Sequence, residues 1–169
     1  MSQPDTSTQQ EMMKVKPQDE HRWLQKLVGE WTYESGDSAG QGEKMTGTET
    51  VRSVGDIWIQ AEGRGTMPDG SPAISLMTLG YDPARGRFVG TWLGSMMTHL
   101  WIYDGELDPA RGVLTLNSEG PSLSGDGTMG KYQDVIELKT PDHRILRGRT
   151  LGADGKWQEF MTTHYRRKR

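Results

Sequence analysis

The same eight-residue pattern occurs twice in the chain and defines two of its turns. Residues 81–88 read Tyr-Asp-Pro-Ala-Arg-Gly-Arg-Phe, and residues 107–114 read Leu-Asp-Pro-Ala-Arg-Gly-Val-Leu. In each copy the aspartate accepts from the turn backbone, the proline fixes φ at the first corner, and the glycine provides a left-handed exit. We interpret the repeat as one turn type used in two hairpins rather than as a duplicated binding loop. The flanking residues then belong to antiparallel strands.

Hairpin signals continue on both sides of these turns. Pro68-Asp69-Gly70, Asp126-Gly127 and Asp154-Gly155 place glycine where a tight turn needs positive φ. The β-favouring runs between turns cover residues 30–37, 43–54, 56–67, 72–81, 86–95, 98–107, 112–119, 130–139, 143–151 and 156–166. Because free strand edges promote aggregation, about ten such strands must close or stack. We predict an all-β fold, a single closed antiparallel β-barrel, with a two-sheet sandwich as the alternative.

One short helix is predicted ahead of the strands. Pro17 suits the first helical position, residues 23–28 carry an apolar stripe at helical spacing, and Gly29 is a natural stop. Residues 1–16 are polar and predict a disordered leader. The barrel domain is therefore assigned to residues 17–169.

The composition excludes several classes of function. The 169 residues contain no cysteine, which excludes disulfides, thiolate catalysis and cysteine-based metal sites. A net charge of −3 does not indicate a nucleic-acid partner. No apolar run reaches the length of a membrane span, and residues 1–10 lack the apolar centre of a secretion signal. We expect a cytoplasmic protein with no membrane span.

The junction of helix and first strand carries a known signature. Gly29-Glu30-Trp31 resembles the Gly-x-Trp opening of lipocalin-like barrels. In those folds the tryptophan closes the barrel floor and a basic residue of the last strand lies across it. Residues 165–167, Tyr-Arg-Arg, would supply that cation here.

A closer resemblance covers nearly all of residues 17–167. The motifs that carry it are Gly80-Tyr81-Asp82-Pro83, Phe88-Val89-Gly90-Thr91-Trp92-Leu93-Gly94-Ser95-Met96, Tyr103-Asp104-Gly105 and Tyr165-x-Arg167. They resemble the bacterial family catalogued as domain of unknown function 1579. That family usually has an aspartate after Trp-x in the central strand, where this chain has Gly94. The resemblance implies a lipocalin-like, calycin-type barrel and implies no activity.

Alternation along the central strands suggests an internal ligand site. Residues 58, 60 and 62 share one strand face, as do residues 88, 90, 92 and 94 and residues 99, 101 and 103. If these faces point inward, they form an aromatic pocket with a few polar groups for a small apolar or amphipathic molecule. The tryptophans are otherwise ordinary core residues. The candidate ligand-binding residues are Trp58, Gln60, Glu62, Trp92, His99, Trp101, Tyr103 and His164.

Three other hypotheses stay open. Nitrobindin-type barrels, which the fold resembles, bind haem through a histidine close to the C-terminus, and His164 lies near that place; the stretch after Trp31 lacks their glycine-rich opening, so no cofactor is expected by default. An enzyme would need His99 or His164 beside Glu62 or Glu159 in one cavity. A filled barrel would instead act through its outer tryptophans, for example as a homodimer.

Other chemistry lacks support in the sequence. No Gly-x-Ser-x-Gly, His-Glu-x-x-His or phosphate-binding glycine loop is present, and no metal site is indicated. Arg144, Arg147 and Arg149 form a basic cluster, in which Arg147 and Arg149 share a strand face. We expect that face to be outward and solvated. His21 is expected to be an exposed helix residue.

Overall fold

The structure is a computed structural model that describes residues 6–7 and 15–169. Within the longer range, one helix, α1 (Asp19–Gln25), leads into ten strands. The strands are β1 (Gly29–Asp37), β2 (Met45–Val54), β3 (Trp58–Thr66), β4 (Pro72–Asp82), β5 (Arg87–Gly94), β6 (Trp101–Asp108), β7 (Val113–Pro121), β8 (Met129–Thr140), β9 (His143–Leu151) and β10 (Trp157–Arg167).

Each strand pairs antiparallel with the next, and β1 pairs with β10, which closes the barrel. The predicted all-β fold, a closed antiparallel barrel of ten strands with a short N-terminal helix, is confirmed. Most of the leader predicted for residues 1–16 lies outside the described residues.

The repeated turns both lie at the end of the barrel that carries the helix. Asp82 Oδ1 accepts from the Ala84 N–H at 3.0 Å, and Gly86 has a φ of 63°. The second copy ends in the same way, with a φ of 65° at Gly112. We call this the helix end, and we call the opposite end the loop end. The loop end carries the longer connections 38–44, 67–71, 95–100, 122–128 and 152–156.

The helix is tied to the barrel by a residue that the sequence placed on the surface. His21 is only 2% exposed, so the prediction of an exposed position was wrong. Its Nδ1 accepts from the Gln18 N–H at 2.9 Å, and its Nε2 lies 3.0 Å from the carbonyl oxygen of Tyr81. Since Nδ1 accepts, Nε2 carries the proton and donates to Tyr81. The helix contacts β3 and β4. This packing buries His21 as well as the apolar residues Trp23 and Leu24.

The barrel floor is built around Trp31, which is fully buried. Its Nε1 donates to the Leu27 carbonyl at 2.9 Å, and the Arg167 guanidinium carbon lies 4.3 Å from its ring centroid. Arg167 Nη1 and Nη2 donate to the carbonyls of Val28 and Lys26 at 2.7 and 3.0 Å. A Cβ at Gly29 would collide with that guanidinium. The structure thus shows the floor tryptophan and the basic residue of the last strand that the Gly-x-Trp signature implied.

The two ends of the interior differ in exposure. Inward side chains near the helix end are almost completely buried: Trp31, Ile59, Leu79, Phe88, Leu114 and Ile136. Nearer the loop end, several inward side chains are only partly buried, whereas Ala73 and Tyr132 are buried. The partly buried ones are Tyr33, Met77, Trp92, Trp101 and Met161. The interior is therefore sealed at the helix end and partly exposed nearer the loop end.

Replacement of Arg167 by alanine should destabilise the whole barrel. The change removes a cation–π contact and three charge-assisted hydrogen bonds to carbonyls, those of Lys26, Val28 and Pro141, which together contribute roughly 2–3 kcal/mol. The neighbouring Arg166 faces outward and is exposed, so Arg166→Ala is the matched control and should stay within roughly 0.5 kcal/mol of wild type. Urea unfolding followed by tryptophan fluorescence measures both variants. Equal losses in the two variants would contradict this account of the floor.

Candidate functional site

The candidate residues of β3 lie on the outer surface. Ile59 and Ala61 are the buried positions of this strand, whereas Trp58 is 41% exposed. The Trp58 ring instead covers Gly80 of β4 from outside. The remaining two candidates of this strand, Gln60 and Glu62, share the outer face with Trp58. The expectation that Trp58, Gln60 and Glu62 line the lumen is therefore wrong.

The aromatic residues of β5 and β6 do face the lumen. Trp92 and Trp101 are cross-strand partners, and both are partly buried. Tyr103 lies two residues deeper and is buried. The Trp101 ring covers Gly120 of β7, and its Nε1 donates to the Met97 sulfur at 3.1 Å. The three residues form one inward-facing aromatic wall.

The two candidate histidines do not line the lumen. His99 lies in the loop before β6 at the rim, where its Nε2 is 2.9 Å from the Glu119 carbonyl oxygen. His164 is exposed on the outer face of β10, with its ring stacked on His143 at 5.3 Å. Burial and the charge of Arg166 lower the pKa of His143. A haem inside the barrel therefore does not fit the placement of His164.

The histidines and glutamates that an enzyme site would need do not lie together in the structure. Glu62 accepts from Arg64 Nη2 at 2.6 Å, and Glu159 accepts from Arg149 Nη2 at 3.1 Å, both on the outer surface. Neither carboxylate shares a cavity with His99 or His164. These ion pairs also confirm that the strand face of Arg147 and Arg149 is outward.

A buried ion pair occupies the lower lumen. Arg144 and Glu49 are 5% and 8% exposed, and Arg144 Nη2 donates to Glu49 Oε1. The Arg144 guanidinium carbon lies 3.8 Å from the Tyr165 ring centroid and 4.8 Å from that of Trp31. Arg144 Nε is buried without a hydrogen-bond partner among the described residues. The first arginine of the basic cluster thus points inward, unlike the other two.

A second carboxyl group faces the lumen from β8, the strand next to the one that carries Arg144. Tyr103 donates its hydroxyl hydrogen to Asp134 Oδ2. Burial raises the pKa of Asp134 to about 6, although the hydrogen bond from Tyr103 acts in the other direction. Burial and the neighbouring Asp134 charge raise the pKa of Tyr103. In the part of the chain that the structure describes, Asp134 has no cationic partner within ion-pair distance.

Tyr165 links the two carboxyl groups. Burial raises its pKa, and the charges of Glu49 and Asp134 raise it further while Arg144 lowers it. The pKa of Tyr33 is likewise raised by burial and by Glu49. These groups interact electrostatically within one interior space. We call them the luminal polar cluster: Tyr33, Glu49, Tyr103, Asp134, Arg144 and Tyr165.

Aromatic rings surround Asp134 toward the loop end. Its cross-strand partner on β9 is Gly148, whose inner side is covered by the ring of Phe160. Tyr132 shares the inward face of β8, and its ring centroid lies 6.2 Å from Phe160 and 4.9 Å from Trp101. The carboxyl group therefore lies beneath a set of edge-to-face rings.

A groove of about 660 Å³ lies outside this wall, beside the rim. Strands β6 and β7 pair only from Asp104 and Asn117 toward the helix end, which leaves their loop-end segments apart. The apolar residues that line the groove are strongly exposed: Leu100, Ile102, Met129 and Trp157.

Ten antiparallel strands closed over a helix-supported tryptophan define a calycin-like barrel. The family model for a protein of unknown function, DUF1579, matches residues 16–167, and the chain belongs to that family. No curated protein matched the chain. No helix among the described residues has the length and apolar character needed to cross a membrane.

Solved structures with the same fold are distant in sequence. Rv2717c from M. tuberculosis is 13% identical with a TM-score of 0.56, over 91% of this chain and 100% of that chain. The S-type phycobiliprotein lyase CPES from Guillardia theta is 18% identical with a TM-score of 0.52, over 90% and 99%. These similarities show the shared fold and nothing finer.

The raised pKa of Asp134 predicts a characteristic pH dependence of stability. The native carboxyl keeps its proton up to about pH 6, whereas the unfolded carboxyl loses it near 3.8. Native protein therefore binds more protons between these values, so stability falls as pH rises through them. Relative to Asp134→Asn, wild type should lose up to about 3 kcal/mol between about pH 4 and pH 7, at about 1.4 kcal/mol for each unit of pKa difference.

Urea unfolding at a series of pH values measures this difference. Asp104→Asn is the control, because Asp104 lies on the outer face of β6 and its hydrogen bond from Arg87 lowers its pKa. Because the pKa of Asp104 is lowered in the native state, the free energy of unfolding of wild type relative to Asp104→Asn should rise as the pH increases. A pH-independent difference between wild type and Asp134→Asn would refute the assignment.

Proposed function

We propose that the protein binds a small apolar or amphipathic molecule in the loop-end half of the barrel lumen. The observation that carries the proposal is the gradient of exposure along the interior. Inward residues near Trp31 are fully buried, whereas several inward residues nearer the loop end, Trp92 and Trp101 among them, are partly exposed. Apolar walls with a few convergent polar groups are typical of small-molecule sites.

The lining of the upper lumen suits an adaptable apolar ligand. Met77 and Met161 pack against the core from the inward side, and flexible thioethers adjust their shape at low cost. Trp92 and Trp101 add large aromatic surfaces from the neighbouring strands β5 and β6. The luminal polar cluster below them would orient the polar end of an amphipathic molecule. A carrier or sensor role fits this arrangement better than catalysis.

Filling the upper lumen with a large side chain should abolish binding. Ser75 of β4 faces inward, since its hydroxyl lies against Gly63, whereas the adjacent Ile74 is 37% exposed on the outer face. We expect Ser75→Trp to weaken binding of the neutral fluorescent probe N-phenyl-1-naphthylamine by more than about tenfold, because the indole occupies the ligand volume. Ile74→Trp should bind as wild type does.

Fluorescence titration measures the affinities, and circular dichroism with urea unfolding confirms that each variant is folded. Ser75→Leu is a milder filling variant in case the tryptophan disrupts the barrel. Unchanged binding by a folded Ser75 variant, or equal loss in Ile74→Trp, would place the probe outside the lumen and reject the proposal.

A second function, self-association, is favoured by the groove beside the rim. Ile102 and Met129 are 66% and 60% exposed in this groove, and contiguous exposed apolar surface marks interaction sites. We propose a homodimer formed through this surface. Such a contact would also shield the unpaired segments of β6 and β7.

Ile102→Glu should convert the dimer to a monomer, because the charge would be buried at the interface. Leu123→Glu is the control, since Leu123 is equally exposed but does not line the groove. Light scattering coupled to size-exclusion chromatography gives the mass of each. A monomeric wild type at high protein concentration would eliminate this second function.

A further inference from the structure

The charges that face the lumen do not balance. Among the described residues of the luminal polar cluster, one guanidinium faces two carboxyl groups. Arg144 is committed to Glu49, which it contacts directly. Asp134 receives a hydrogen bond from Tyr103 and has no cation of its own. Asp134 is partly buried. Removal of a carboxylate from water without a cation is costly, so a cation would stabilise this position.

The unequal number of positive and negative groups in the lumen favours some ligand charges over others. An anionic head group would meet an Arg144 guanidinium that already contacts Glu49, with only its Nε buried and unpaired among the described residues. It would also be repelled by Asp134 and Glu49. A neutral head group would leave Asp134 without a counter-charge. An ammonium group would supply the missing charge and could donate to the carboxylate.

The surroundings of Asp134 suit a cation for an independent reason. Phe160 covers Gly148, the direct cross-strand neighbour of Asp134. Tyr103 contacts Asp134 from β6, and Tyr132 lies two residues before it on the same face of β8. Aromatic rings attract cations through their quadrupoles, and several rings around one carboxylate are a typical ammonium site. Toward the loop end, Trp92 and Trp101 extend the apolar surface.

We propose that the ligand is an organic cation, an amine or quaternary ammonium with an apolar body, whose nitrogen lies at Asp134 and whose body extends toward the loop end. The inference rests on the proposed luminal binding function and specifies the chemical class of its ligand. In this proposal, Asp134 is the residue that makes the site prefer a positively charged ligand.

Displacement of the neutral probe N-phenyl-1-naphthylamine tests the inference with matched competitors. Decylamine, decyltrimethylammonium, decanol and decanoate share one hydrocarbon chain and differ in head group. Near neutral pH we expect the better of the two cations to bind at least about tenfold more tightly than decanol, and decanoate to bind most weakly. Asp134→Asn should reduce the cations to the level of decanol and leave decanol unchanged. Asp104→Asn, which alters an outer carboxylate, should change none of the four.

The pH dependence of wild type gives a test that needs no variant. Protonation of Asp134 should remove the advantage of decyltrimethylammonium over decanol as the pH falls from about 8 to about 5, since the carboxyl becomes neutral. The other titratable or charged groups facing Asp134 are Tyr103 from β6, Tyr132 from β8, Tyr165 from β10, and the paired Glu49 and Arg144 from β2 and β9. Decanol would lie among the same groups but carries no charge. The ratio of the two affinities therefore removes any effect of these groups that does not depend on the charge of the ligand.

The outcomes separate the two proposals. If neither the probe nor decanol binds, luminal binding itself fails. If both bind but neither cation has an advantage, or if the cation preference survives in Asp134→Asn, luminal binding stands and the inference about charge is overturned. Preferential binding of decanoate would also overturn it.

Discussion

The structure depends on the contact between Arg167 and Trp31. Arg167 ends the last strand and Trp31 lies near the start of the first. The guanidinium also donates to the carbonyls of Lys26 and Val28, just after the helix. One side chain therefore fastens both termini of the barrel domain and the helix at a single point. Because β1 and β10 must pair for the barrel to close, this contact lies where the sealed floor meets the seam of the closed sheet. The helix end is the more completely buried end of the interior.

The luminal chemistry is built upward from that floor. Trp31 also contacts Arg144, which holds Glu49 and lies against Tyr165. This neutralises one carboxylate and leaves Asp134 as the uncompensated charge above it. Burial of ionisable groups costs stability, so a barrel that served only as a scaffold would gain from apolar residues at these positions. Our proposal assigns the polar cluster to recognition of a ligand.

Local sequence chemistry was sufficient to predict the architecture. The repeated Asp-Pro-Ala-Arg-Gly turn and the Gly-x-Trp junction each specify backbone geometry within a few residues, and both occur as expected. Orientation of β3 was not predictable in this way, because Trp58 lies over Gly80, a neighbour known only once strands pair. Asp134 was missed for a related reason. Both Val135 and Ile136 beside it are buried, so the alternation that distinguishes inside from outside is obscured. Which side chains meet in the lumen depends on the pairing register of the strands, and a short stretch of sequence does not specify that register.

The most direct test of the central claim is a methyl NMR titration of isotope-labelled methionine with decylamine. Met77 and Met161 report on the lumen, and Met129 reports on the outer groove at 60% exposure. A cationic ligand seated above Asp134 should shift the Met77 and Met161 methyl signals saturably and leave Met129 unchanged. The same titration of Asp134→Asn should require much more ligand. Shifts confined to Met129, or no saturable shift at the two luminal methyls, would contradict binding in the lumen.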